Sequence, residues 1–229
     1  MRSRYLEPEE IKKLKECLGW HAWLPFQLSI ETGLRIGDVA ALRWCNIQGN
    51  RVRFVAQKTK KSGEALISNE TAETLWKLRG HENAYVFPSP ENGKKHITRQ
   101  ALWKRLKHAC MLCGVATQGA SPHSFRKVYG VREYHANGLA AVRAGLQHSD
   151  ARTTELYALA DWLSPKNADK PILRKEIGLL ISYVAEWLGK PLCNVDEASH
   201  TDGQYFLDKY AWGYADNYPN RDKENNSFD

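Results

Sequence analysis

Apolar residues recur at helical spacing along most of this 229-residue chain, and one short interval breaks the rule. Val52-Arg-Phe-Val55 and Ala65-Leu-Ile67 are brief β-like runs, and between them Lys58-Thr-Lys-Lys-Ser-Gly63 has the make-up of an exposed hairpin turn. One hairpin among helices calls for an α+β fold, mainly α-helical with a small antiparallel β-sheet. Pro8 with Glu9 and Glu10 opens a helix over residues 8–18, in which Ile11, Leu14 and Leu18 repeat until Gly19 stops the run. Residues 21–31 read as a second helix ending near Gly33 and residues 38–44 as a third. Arg35 therefore falls in the tight connection Gly33-Leu-Arg-Ile-Gly37. Asn69 is expected to cap a helix running to Leu78, Tyr85-Val-Phe87 to be extended, and Thr98 to open a helix reaching Cys113 with Leu102, Leu106 and Ala109 on one face.

Chemistry-bearing residues cluster next. Ser121-Pro122 is a helix start, and His123 and Arg126, three residues apart, lie on the same side of its first turn. A break at Asn137-Gly138, a short helix to Ala144 and a turn over residues 145–149 carrying His148 lead to Asp150, a cap for a helix with Thr153, Thr154 and Tyr157. A tyrosine can attack a phosphodiester only where cations neutralise the charge that builds on phosphorus, so this pattern points to phosphate chemistry. Thr32-Gly-Leu-Arg35-Ile-Gly-Asp38 and Gln57-Lys58-Thr59 bring two more cations.

These four segments, in this order and over roughly residues 5–160, resemble the catalytic boxes of the tyrosine recombinases, the phage-integrase family. The resemblance implies that family's catalytic-domain fold, with Arg35 as the first arginine, Lys58 as the hairpin lysine, His123 and Arg126 as the His-x-x-Arg box, His148 as the later histidine and Tyr157 as the nucleophile. The arginines' planar forks suit the non-bridging oxygens of a five-coordinate phosphorus. Lys58 suits the general acid that protonates the departing 5′ oxygen, although Lys60 and Lys61 lie close enough to take that part. His123 suits the acceptor of the tyrosine proton or a phosphate holder, and His148 a hydrogen-bond donor to phosphate. The reaction so implied cuts one strand of double-stranded DNA to a 3′-phosphotyrosyl intermediate and rejoins it to another strand, without metal or nucleotide, in a tetramer of protomers on DNA. Lys127 stands where the family usually has a histidine, and Gln147 where it usually has a glycine.

Charge agrees with a polyanionic partner. Residues 1–161 hold 25 Lys and Arg against 15 Asp and Glu, whereas residues 162–229 hold 8 against 11. The motifs sit in the basic part, read as a catalytic domain over 1–161 followed by a helical extension over 162–229. In that extension Leu173, Ile177, Leu180, Val184 and Trp187 form an apolar seam for packing in cis or in trans, ahead of an acidic stretch rich in tyrosine. Family members commonly carry a separate DNA-clamping domain ahead of the catalytic one. Here the motifs begin close to Met1, so that domain is expected to be missing, in a fragment of a longer enzyme or an unusually short member.

No run approaches the ~18 apolar residues of a membrane span and no secretion signal opens the chain, so a cytoplasmic protein is expected. Five cysteines at scattered spacing suit reduced thiols, and Cys110-x-x-Cys113 lacks the second pair of a metal site, so both are expected to be packing residues. Two other readings fit the same residues. One is a DNA-relaxing enzyme of the type IB topoisomerase kind, and the other is a non-catalytic DNA-binding regulator that keeps the basic face.

Overall fold

The computed structural model describes residues 3–146. His148, Tyr157 and the whole extension from residue 162 lie outside the described residues. The elements in order are α1 (Pro8–Thr32), α2 (Ile36–Ala40), a 3-10 turn (Trp44–Asn46), β1 (Ile47–Gln48), β2 (Arg51–Val55), β3 (Ser62–Leu66), α3 (Asn69–Lys77), α4 (Arg99–Leu112), α5 (Pro122–Asn137) and α6 (Leu139–Leu146). Mostly helix with one three-stranded antiparallel sheet, in the order β1-β2-β3, this is the α+β architecture expected from the sequence.

The first two expected helices form one element, broken where the sequence placed the break. Gly19 has φ 66° and ψ 163°, which no helix contains, so α1 is two segments meeting at a corner. Its second segment organises the molecule, because its two faces enter two cores. Trp23, Phe26 and Ile30 join Leu14, Leu102, Leu106, Phe125 and Val128 in the first core. Leu24 and Leu28 join Val39, Val52, Phe54 and Leu75 in the second. Trp23, Phe26 and Phe125 meet as a ring cluster, the two phenylalanine centroids 4.8 Å apart, which fixes α5 against α1.

Local chemistry moves several boundaries. The third helix spans only Ile36–Ala40, and Trp44 belongs to the following 3-10 turn, where its ring is buried in the second core. The cap of α3 is Ser68, whose hydroxyl accepts from the Thr71 amide at 3.2 Å while Glu31 of α1 accepts from that hydroxyl at 2.8 Å. Asn69 is the first helical residue instead. Thr98 caps α4 as expected, accepting from the Ala101 amide. Tyr85–Phe87, expected to be extended, is instead a single bridge of Tyr85 with Arg43 followed by a bend at Val86 and Phe87, with Pro88 bridged to His96 beyond it. Gly145, expected in a turn, lies inside α6, which continues to Leu146.

Candidate active site

Arg35 projects from the corner between α1 and α2, and a set of hydrogen bonds fixes that corner. Gly33 caps α1 at φ 67° and its amide donates to Ser29 O at 3.1 Å. The Ser29 hydroxyl donates to Leu34 O at 2.8 Å, and the Thr32 hydroxyl accepts from the Leu34 amide at 3.2 Å. Arg35 then sits at the N-cap position of α2 with an extended backbone, half-buried. Among the described residues its guanidinium has no hydrogen bond and no ion pair, which leaves it available to an anion.

His123 and Arg126 occupy the first turns of α5 but differ in exposure. Arg126 is 3% exposed, and its guanidinium donates to Gly33 O and, at 3.1 Å, to Leu146 O. The same side chain thus ties the Arg35 corner to the end of α6, two residues ahead of His148. His123 is exposed. Its pKa is lowered from the ordinary 6.5, first by desolvation and then by the positive charges of Arg126, Arg35, Arg99 and Lys127. Burial leads, and four cations act on the same ring. They also define the site: three helix starts deliver four cations around one imidazole.

Two of those cations carried no assignment from the sequence. Arg99 is the first residue of α4, where the helix dipole disfavours a positive charge. That misfit was the clue available in the sequence, and it gains meaning only beside the imidazole. Lys127, half-buried on α5, fills the family's histidine position with a cation.

Lys58 stands on the connection between β2 and β3, which pair from Arg51 with Leu66 to Val55 with Ser62. Its side chain is exposed and makes no hydrogen bond or ion pair among the described residues. Lys60 and Lys61 are exposed beside it, and Lys60 takes a left-handed φ of 56° to close the loop, its amide donating to Ala56 O at 2.8 Å. What connects this loop to the arginine corner is Asp38, to which the sequence alone assigned no role. Asp38 is 7% exposed, its Oδ1 accepts from the Gln57 amide at 3.0 Å, and its Oδ2 is buried without a hydrogen-bond partner among the described residues. An aspartate in a five-residue helix of otherwise apolar and small residues, three positions after Arg35, was the available clue.

Tyr129 and Tyr134 contrast with the expected nucleophile. The Tyr129 phenol is pushed up to about 12, mainly by burial and then by Glu133, and Tyr134 is buried. Tyr129 serves packing instead: a Cβ at Gly33 would lie 2.7 Å from its ring, and one at Gly145 would lie 1.9 Å from its hydroxyl.

Residues 4–162 match the model of the phage integrase family. The chain belongs to that family. A tyrosine recombinase XerD of Yersinia pestis is 35% identical over 137 residues, covering 55% of this chain and 45% of that protein. The crystal structure of XerA recombinase shares the fold at a TM-score of 0.59 and 17% identity, over 69% of this chain and 61% of that one. A lambda integrase tetramer bound to a Holliday junction does so at 0.56 and 17%, over 66% and 48%. The chain spans about half the length of the curated relatives it matches.

Proposed function

We propose that this chain is the catalytic part of a site-specific DNA recombinase or integrase that cuts and rejoins DNA through a 3′-phosphotyrosyl intermediate. The observation that carries the reading is the gathering of Arg35, Arg126, Arg99 and Lys127 around His123, with Arg35 left without a protein partner among the described residues. Such a site holds a phosphodiester and stabilises the extra charge of its transition state. Tyr157 Oη attacks phosphorus, its proton passes to His123, which the lowered pKa keeps neutral, and the 5′ oxygen leaves with a proton from Lys58. Arg35 holds the non-bridging oxygens. Arg126 adds its charge and fixes the corner, and His148 donates a hydrogen bond to the phosphate. The bond energy is conserved in the phosphotyrosine, so strand exchange needs no nucleotide.

In this reading residues 1–161 carry the chemistry and residues 162–229 form a helical extension that packs in cis or reaches a partner. The protein acts in the cytoplasm on double-stranded DNA as a tetramer, the state in which lambda integrase is bound to a Holliday junction. Among the described residues no helix is long and apolar enough to cross a membrane.

The test is a suicide-substrate assay. Nicked duplex DNA from the flanks of the gene is incubated with the protein without metal, and a denaturant-resistant protein–DNA adduct is sought. Wild type forms the adduct and Tyr157→Phe does not. Salt-sensitive DNA binding with no adduct, even with a DNA-clamping domain supplied, would sink the enzymatic reading in favour of a binding protein. Supercoil relaxation without site preference would favour a topoisomerase-like activity.

A further inference from the structure

Three of the cysteines gather where α1 crosses α4, away from the residues assigned to catalysis. Leu14 is fully buried there beside Leu106, Ala109 and Cys110, and Leu18 and Cys113 pack at the margin of the same core. One carbonyl marks the meeting point. The Cys113 amide donates to Ala109 O at 3.0 Å, and the Cys17 thiol lies 3.8 Å from the same oxygen. The Cys113 thiol sits 4.0 Å from Cys110 O, the carbonyl next along the chain from the one Cys17 reaches. Two sulfurs from elements 92 or more residues apart in sequence thus converge at one point on α4.

Access separates the three thiols. Cys110 is 0% exposed and sealed in the core, Cys17 is exposed and Cys113 is half-buried. An oxidant reaches Cys17 first, and the sulfur beside it on the open side is Cys113.

We propose that Cys17 and Cys113 form a reversible disulfide, closed by a low-molecular-weight disulfide such as oxidised glutathione and opened by thiols. The Cys17 thiolate attacks one sulfur of the oxidant, whose S–S bond breaks and whose second half leaves as a thiol after taking up a proton. The Cys113 sulfur, having lost its proton, then attacks the mixed disulfide at Cys17 and releases the second small thiol. Two protein thiols are oxidised and one small disulfide is reduced to two thiols.

The closed bond staples the first segment of α1 to the last turn of α4. That segment meets the rest of α1 at the Gly19 corner, where among the described residues nothing lies within 4 Å of the Cβ position. A reducing cytoplasm keeps the bond open, so closure reports an oxidising shift. Burial foremost, with Cys17 adding to it, raises the Cys113 pKa. The second step is therefore slow near neutrality and quickens by about tenfold per pH unit in the alkaline direction.

The test uses the full chain, oxidised glutathione at about pH 7 and about pH 8.5, alkylation of remaining thiols, and mass spectrometry of a non-reduced digest. A Cys17–Cys113 peptide pair is expected, about 2 Da lighter than its two thiol peptides and lost on reduction. Cys110→Ser keeps the pair, while Cys17→Ser and Cys113→Ser abolish it. Cys17 is exposed, so its serine variant folds. Oxidation of wild type raises Tm by several degrees, reversibly, and leaves Cys17→Ser unmoved. A lasting glutathione adduct on Cys17 with Cys113 free to alkylate, or a bond between Cys110 and either neighbour, would overturn the proposal.

Discussion

The start of α5 and the tip of the β2–β3 hairpin both present cations to the proposed site, yet they are built in opposite ways. On α5, Ser124, Phe125 and Arg126 are buried, Phe125 is locked into the ring cluster, and Arg126 fastens two other segments. At the hairpin tip Gln57, Lys58, Lys60 and Lys61 are exposed, and the Gln57–Asp38 hydrogen bond fixes the base of the loop. The difference matches the two tasks proposed for them. Groups that stabilise charge act best when they need no reorganisation, so they belong in packed structure. A proton donor that meets the leaving oxygen only after DNA has docked can ride on a part that opens at little cost.

The largest blow to that contrast comes from Arg126→Ala. It leaves the carbonyls of Gly33 and Leu146 without their donor inside the fold, and we expect a loss of about 3 kcal/mol in denaturant unfolding together with loss of the adduct. A variant that unfolds like wild type while losing the adduct would mean that Arg126 is a clamp on phosphate and nothing more.

Lys58→Ala is expected to do the reverse. Unfolding stays within about 0.5 kcal/mol of wild type because the side chain has no partner among the described residues, while adduct formation slows by about 100-fold. A DNA substrate whose bridging 5′ oxygen is replaced by sulfur needs no proton to leave and should restore the rate. If Lys60→Ala or Lys61→Ala shows that rescue and Lys58→Ala does not, the donor is the neighbour.

Gly145→Ala probes the packed side at intermediate strength. Its methyl would meet the Tyr129 hydroxyl at 1.9 Å, costing about 2 kcal/mol by overpacking, and adding Tyr129→Phe should return part of that stability. Equal stability of the single and double variants in chemical denaturation would show that α6 shifts away instead.

How much of this was readable beforehand depended on distance along the chain. The Gly19 break, the Thr98 cap, the hairpin and the corner that holds Arg35 are set by neighbours a few residues apart, and the sequence showed all four. The Ser68 cap was missed because Glu31, more than thirty residues away, chooses it over Asn69. Placing His123 and Arg126 on one side of a helix turn was right by periodicity. It did not show that one faces solvent and the other two carbonyls, because Gly33 and Leu146 arrive from elsewhere in the fold. Asp38 and Arg99 escaped for the same reason: a buried acceptor and a cation at a helix start acquire meaning only from the hairpin and the imidazole they approach.

Asp38→Ala tests the shorter of two hydrogen bonds, beside Gln57 Nε2 to Gly37 O at 3.4 Å, that tie the hairpin to the arginine corner among the described residues. Losing the acceptor for the Gln57 amide should cost about 1 kcal/mol and loosen the loop base, with hydrogen exchange of residues 56–61 faster than in wild type and the α5 amides unchanged. Faster exchange in α5 as well would mean that the hairpin and the clamp open together, and the contrast would fail.

The smallest effect is the most diagnostic of the cation cluster. With its folded pKa below the ordinary 6.5, His123 is neutral in both states above that value and contributes nothing there. As pH falls from 6.5 towards the folded pKa, the unfolded chain takes up a proton that the folded chain resists, and stability drops. Between about pH 7.5 and about pH 5.5 wild type should therefore lose slightly more Tm than His123→Gln, and parallel losses would show that the ring does not feel the cations. Salt separates the two causes, since about 1 M salt shortens the screening length to about 3 Å but leaves burial untouched. We expect the titration of His123, followed by NMR, to move part of the way back towards 6.5 in high salt, because the cations are screened while burial is not. A pKa that stays low there would assign the shift to desolvation, and the four cations would then hold phosphate without tuning the base.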